Sequence, residues 1–147
     1  MKGRGMAKNT FVGTWKLVSY EVRRADGKVT YPWGDKPQGR LMYSEDGHVS
    51  VAMMGSDRPR FAARDLKLGT VEEKVAAVDS YISYAGKYEI VDGSRVVHRV
   101  EVSLFPNWVG KDQVRSFRFD GNRLMLTTEP DPSDEKRKTG HLIWERI

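Results

Sequence analysis

Two side chains interrupt the apolar alternation of this 147-residue chain, and both can do chemistry. In the stretch Arg95–Phe105, Val96, Val100, Val102 and Leu104 share one parity, and His98 falls among them. The other parity reads Val97, Arg99, Glu101 and Ser103, the pattern of a solvated face. His98 is therefore expected to point inward. In Gln113–Phe119 the apolar parity is carried by Phe117 and Phe119, and Arg115 lies on it with Gln113. Arg115 is expected to point inward as well. The two segments are consecutive and joined by one loop, so they are expected to be neighbours. A buried guanidinium is costly without a partner. Arg115 thus calls for an internal carboxylate, carbonyls, water or a polar or anionic ligand. An imidazole can act as acid or base near its unperturbed pKa of roughly 6.5. An arginine can hold a carboxylate end or stabilise a developing enolate. The same pair could equally form a polar plug, with Arg115 paired to an acid and His98 bonded to a tyrosine hydroxyl.

Aromatic side chains are plentiful, with 5 Phe, 6 Tyr and 4 Trp. Trp15, Tyr43, Met53, Tyr84, Trp108 and Phe117 are candidates to line a cavity, although core packing accounts for each alone equally well. Tyr88 or Tyr43 could relay a proton. Other chemistries find no residues. His48, His98 and His141 are far apart in sequence, without metal-ligand spacing, so no metal is expected. There is no cysteine, which excludes disulfides and thiolate catalysis. No nucleophile-elbow motif and no phosphate-binding glycine loop occur, so no cofactor is expected. The segment with Arg58, Arg60 and Arg64 reads as a solvated, mobile loop in preference to a lid or an anion-attracting rim.

The net charge of +5 is unevenly placed. Lys2, Arg4 and Lys8 put +3 in residues 1–10, read as a disordered tail or tag remnant, and leave about +2 for the remainder. Nucleic-acid binding is therefore not expected. No apolar run reaches a membrane span, and no secretory signal is recognised. With the missing cysteines, this points to a cytoplasmic protein, monomer or homodimer.

Residues 11–147 must position these side chains. Phe11–Val22 is strand-like on both parities. Lys28–Tyr31 is a short extended return after the Asp26-Gly27 turn. Gly39–Ser44 and His48–Met54 flank a turn and read as a hairpin. Thr70 with Glu73 forms a capping box, and Val71, Val75, Val78 and Ile82 repeat at helical spacing, so one short helix is expected around 70–83, with Gly86 as its breaker. Period two then returns in Ala85–Val91, Arg95–Phe105, Gln113–Phe119, Arg123–Thr128 and Thr139–Ile147. The expected fold is mainly β: a single antiparallel up-and-down barrel of eight to ten strands with one short helix, closed so that no sheet edge is exposed.

The same segments carry a resemblance. Gly13-Thr14-Trp15-Lys16-Leu17-Val18-Ser19, Tyr31-Pro32-Trp33-Gly34 and Gly39-Arg40-Leu41-Met42-Tyr43-Ser44 occur in order, followed by Ser83-Tyr84-Ala85-Gly86-Lys87-Tyr88. His98 through Gly110, Gln113-Val114-Arg115 and Trp144-Glu145-Arg146 complete the set. With these motifs the chain resembles the bacterial and fungal lipocalin-like domain family, calycin-type barrels related to lipocalins. The resemblance implies an internal pocket for a small, mostly apolar molecule, and implies no reaction. Two functions are then open. One is binding of a hydrophobic ligand whose carboxylate or carbonyl end is oriented by Arg115 and His98, in natural-product metabolism. The other is a cofactor-independent isomerase, cyclase or lyase, with His98 as acid or base, Arg115 as oxyanion stabiliser and Tyr88 as relay.

Overall fold

The computed structural model describes residues 10–147, so the expected tail lies outside the described residues except for Thr10. Nine strands follow one another: β1 (Gly13–Arg23), β2 (Val29–Thr30), β3 (Gln38–Tyr43), β4 (His48–Met54), β5 (Tyr81–Ile90), β6 (Arg95–Ser103), β7 (Asp112–Asp120), β8 (Arg123–Thr128) and β9 (Thr139–Arg146). One helix, α1 (Val71–Asp79), joins β4 to β5. From β3 to β9 each strand pairs antiparallel with the next, and β1 pairs with both β3 and β9. The result is a closed eight-stranded up-and-down barrel. The two-residue β2 is an extra strand against the far end of β1.

Closure follows from the period-two pattern, because each strand has one apolar parity that can be buried only inside. In β9, Gly140, Leu142 and Trp144 are buried and alternate with partly exposed residues. One end of the barrel is sealed by rings. Phe11 meets Tyr43, Phe117 and Phe119 edge-on, with centroids 4.9–5.0 Å apart. Trp15 donates its Nε1–H to the Phe11 carbonyl at 2.9 Å. Arg146 lies 4.2 Å over the Trp15 ring, donates to the Val12 carbonyl at 2.8 Å, and also donates to the carbonyl of Thr10. This is a cation–π contact with its charge satisfied at the chain entry.

Two β-bulges change which parity faces in. Leu17 pairs with Trp144 and Ser19 with Ile143, so Val18 is an extra residue in β1. Trp15 and Leu17 face in before it, and Tyr20 faces in after it. In β6, Val100 pairs with Gly86 and Val102 with Ala85, so Glu101 is the extra residue. Val102 and Leu104, expected on the inner face with His98, are consequently exposed. Gly86 does not end the helix. It lies inside β5, opposite this bulge, where a Cβ would sit 1.9 Å from the Arg99 carbonyl oxygen.

The helix also differs from the expectation. It ends at Asp79, and residues 81–84 begin β5. The Thr70–Glu73 capping box is present. The apolar stripe is not buried: Val71, Val75 and Val78 are 73%, 52% and 56% exposed. Polar contacts at its ends hold the helix instead. Arg58 donates to the Ala77 carbonyl at 3.0 Å and to Ser80 Oγ at 2.9 Å, and Trp33 donates Nε1–H to the Asp79 carbonyl at 3.1 Å. Arg58 is thus docked on the helix C-terminus and the Tyr81 ring, not solvated as the sequence suggested, while Arg60 and Arg64 are exposed.

Candidate functional site

The aromatic seal fills one end of the barrel, and a cavity of about 200 Å³ occupies the other. Leu41, Val51, Met53, Ile82, Leu126 and Leu142 form its aliphatic wall. Trp33, Trp108 and Trp144 add aromatic surface. The polar groups on the wall are Tyr20, Tyr84, His98, Arg115 and Thr128. Tyr20, Tyr84, Arg115 and Thr128 lie in the halves of their strands nearest the mouth, and His98 lies deeper in β6. Gly140 leaves room here, since a Cβ would meet the Thr128 and Tyr20 side chains at 3.3 and 3.6 Å. A wider groove of about 570 Å³ runs outside the barrel past Lys16, Gly39, Arg40 and Tyr81. It is open to solvent, and the apolar enclosure a small ligand needs is found in the interior cavity instead.

His98 is 1% exposed and bonded at both ring nitrogens. Nε2 is 2.7 Å from the Tyr43 hydroxyl, and Nδ1 is 2.7 Å from the Tyr84 hydroxyl. Burial, reinforced by the positive charge of Arg115, lowers its pKa to about 3. The imidazole is therefore neutral at pH 7. Burial raises the pKa of Tyr43 and Tyr84, and the guanidinium opposes that rise. Both hydroxyls stay protonated.

Arg115 is half-buried on the cavity wall. It donates to the Val114 carbonyl at 3.1 Å and to Gln113 Oε1 at 3.2 Å. No carboxylate pairs with it among the described residues. A guanidinium has five N–H donors, so donors remain for an acceptor in the cavity. Burial also raises the pKa of Tyr20, which the Arg115 charge again opposes, so the Tyr20 hydroxyl is a further neutral donor at this wall.

The structure brings together Met53, Tyr84, His98, Trp108 and Arg115 around the cavity. It places the other candidates elsewhere. Trp15 is under Arg146 at the sealed end. Phe117 packs against Phe11 and Phe119. Tyr88 donates its hydroxyl to the Ser44 carbonyl at 3.2 Å, in the β3–β4 hairpin. Tyr43 touches the site only through His98. Sequence reasoning missed Tyr20, Trp33, Thr128 and Trp144. Alternation along β8 and β9 could have found Thr128 and Trp144. The Val18 bulge hid Tyr20, and Trp33 sits in a loop without a period. Among the described residues no group of three or more His, Cys, Asp or Glu could hold a metal ion, and no helix is long and apolar enough to cross a membrane.

Comparison with known proteins agrees with this architecture. The family model described as lipocalin-like domain matches residues 12–147. The chain is similar to the 4'-hydroxy-3'-methoxypropiophenone carrier protein ppsC of Aspergillus oryzae, with 32% identity over 107 residues, 67% of this chain and 96% of that protein. A match across nearly the whole barrel, together with the observed strand order, means that this chain belongs to the lipocalin-like domain family.

Proposed function

We propose that the protein is a binding or carrier protein for a compact, largely apolar small molecule held inside the barrel, with Arg115 at the ligand's polar end. The observation that carries this reading is the interior cavity. It is walled by three tryptophans and six aliphatic residues, and it holds one guanidinium with no carboxylate partner among the described residues. At about 200 Å³ it lies below the roughly 300–1,000 Å³ of drug-sized pockets, which suits a one-ring molecule better than a long-chain lipid. The similar carrier from Aspergillus oryzae is named for an aryl ketone of that size, which supports a phenolic or aryl-ketone natural product as the ligand class. The catalytic alternative draws less support. Both His98 nitrogens are engaged by tyrosines, and a pKa of about 3 makes the imidazole a poor base at neutral pH.

Isothermal titration with 4'-hydroxy-3'-methoxypropiophenone and a panel of one-ring, two-ring and long-chain carbonyl compounds tests this. One-ring ligands are expected to bind best. Arg115→Ala is expected to weaken them about tenfold, the loss of one charge-assisted hydrogen bond of roughly 1.4 kcal/mol. A protein that binds none of the panel, or that binds unchanged without Arg115, overturns the proposal.

A further inference from the structure

The hydrogen bonds around His98 contain an imbalance that identifies what the cavity recognises. A neutral imidazole has one N–H and one bare nitrogen. Tyr43, His98 and Tyr84 together hold three such protons, the two hydroxyl protons and one ring proton. The two contacts, Tyr43 to Nε2 and Tyr84 to Nδ1, use only two of them. One hydroxyl proton is therefore left over. It cannot be that of Tyr43, whose hydroxyl is buried, is not on the cavity wall and has no other hydrogen-bond partner among the described residues. A buried donor left unpaired there would be costly. Tyr84 borders the cavity.

We infer that Tyr43 donates to Nε2 of His98, that Nδ1–H donates to Tyr84, and that the Tyr84 O–H is aimed into the cavity as a specificity-determining donor for a carbonyl oxygen of the ligand. This rests on the binding function proposed above and names the ligand group. Tyr43 and His98 are positioning residues. They fix the direction of the chain, and each bond in it polarises the next. The same wall is rich in donors. Arg115 offers only N–H groups, and the neutral Tyr20 hydroxyl is a further donor. A ligand that offers an acceptor satisfies such a wall, and one that offers only a donor leaves it unsatisfied.

Two experiments test the inference. Histidine-selective ¹⁵N NMR of the whole protein reads the tautomer directly. Nδ1 of His98 is expected to be protonated and Nε2 bare, and the opposite tautomer overturns the inference. Calorimetry then compares 4'-hydroxy-3'-methoxypropiophenone with 2-methoxy-4-propylphenol, which has the same skeleton without the carbonyl. The wild type is expected to prefer the ketone roughly threefold to tenfold, the worth of one hydrogen bond. Tyr84→Phe is expected to abolish that preference, so that the two compounds bind equally. Tyr43→Phe, away from the cavity, is expected to reduce the preference without changing alkylphenol affinity, which a merely packing role would not do. A wild type without the preference, or a Tyr84→Phe protein that keeps it, overturns the inference. Failure of the wild type to bind either compound instead counts against the binding function itself.

Discussion

Replacing His98 with glutamine should flatten the acid limb of the stability curve. The folded protein holds this imidazole at a pKa of about 3 through burial and the nearby Arg115 charge. In the unfolded chain it returns to roughly 6.5. Between those values the unfolded chain takes up a proton that the folded chain does not, so stability falls as pH drops through that window. Above pH 6.5 neither state is charged and the residue contributes no slope. One pKa unit corresponds to about 1.4 kcal/mol, so the full difference amounts to roughly 5 kcal/mol by pH 3. From pH 6.5 to 4.5 it amounts to roughly 2–3 kcal/mol. Glutamine cannot titrate. Urea denaturation at half-unit pH steps from 7.5 to 4.5 should show the wild type losing that much more stability than His98→Gln, whatever the offset between them at pH 7.5. The two facing tyrosines stay neutral over this range, and burial also lowers the pKa of His141, but that contribution is common to both proteins. Parallel curves would refute the assignment of His98 as a buried neutral imidazole.

Other outcomes follow from the packing. Gly86→Ala places a Cβ 1.9 Å from the Arg99 carbonyl oxygen and should cost about 3 kcal/mol, or prevent folding, as read by thermal and urea melts. Arg146→Ala removes the Trp15 cation–π contact and the bonds to the Val12 and Thr10 carbonyls. It should destabilise by about 2–4 kcal/mol in urea denaturation while leaving ligand affinity within twofold, because the cavity is at the opposite end. Val75→Gln on the exposed stripe of α1 should change stability by no more than about 0.5 kcal/mol, and a larger loss in the same assay would mean that this face packs against something.

Much of this protein is legible in its amino-acid order. The strands β4 and β8 coincide with the segments read from alternation, the Thr70–Glu73 capping box starts the helix, and parity turns His98 and Arg115 inward. These features are local, set by side-chain period and turn chemistry. What alternation cannot register is a bulge, because one extra residue exchanges the two faces from that point on. The bulge at Val18 brings Tyr20 to the cavity, and the bulge at Glu101 turns Val102 and Leu104 outward. Both depend on the partner strand: Gly86 admits a close backbone approach that only pairing reveals. Helical spacing likewise shows that Val71, Val75 and Val78 share a face, and cannot show that no element covers it. The division of the aromatics is the clearest case. Trp15, Phe117 and Tyr88 belong to the sealed end, while Trp33, Trp108 and Trp144 line the cavity. Residue type is the same in both groups. Position along the barrel axis separates them, and that is set by strand register, through the long-range pairing of β1 with β9 that closes the barrel.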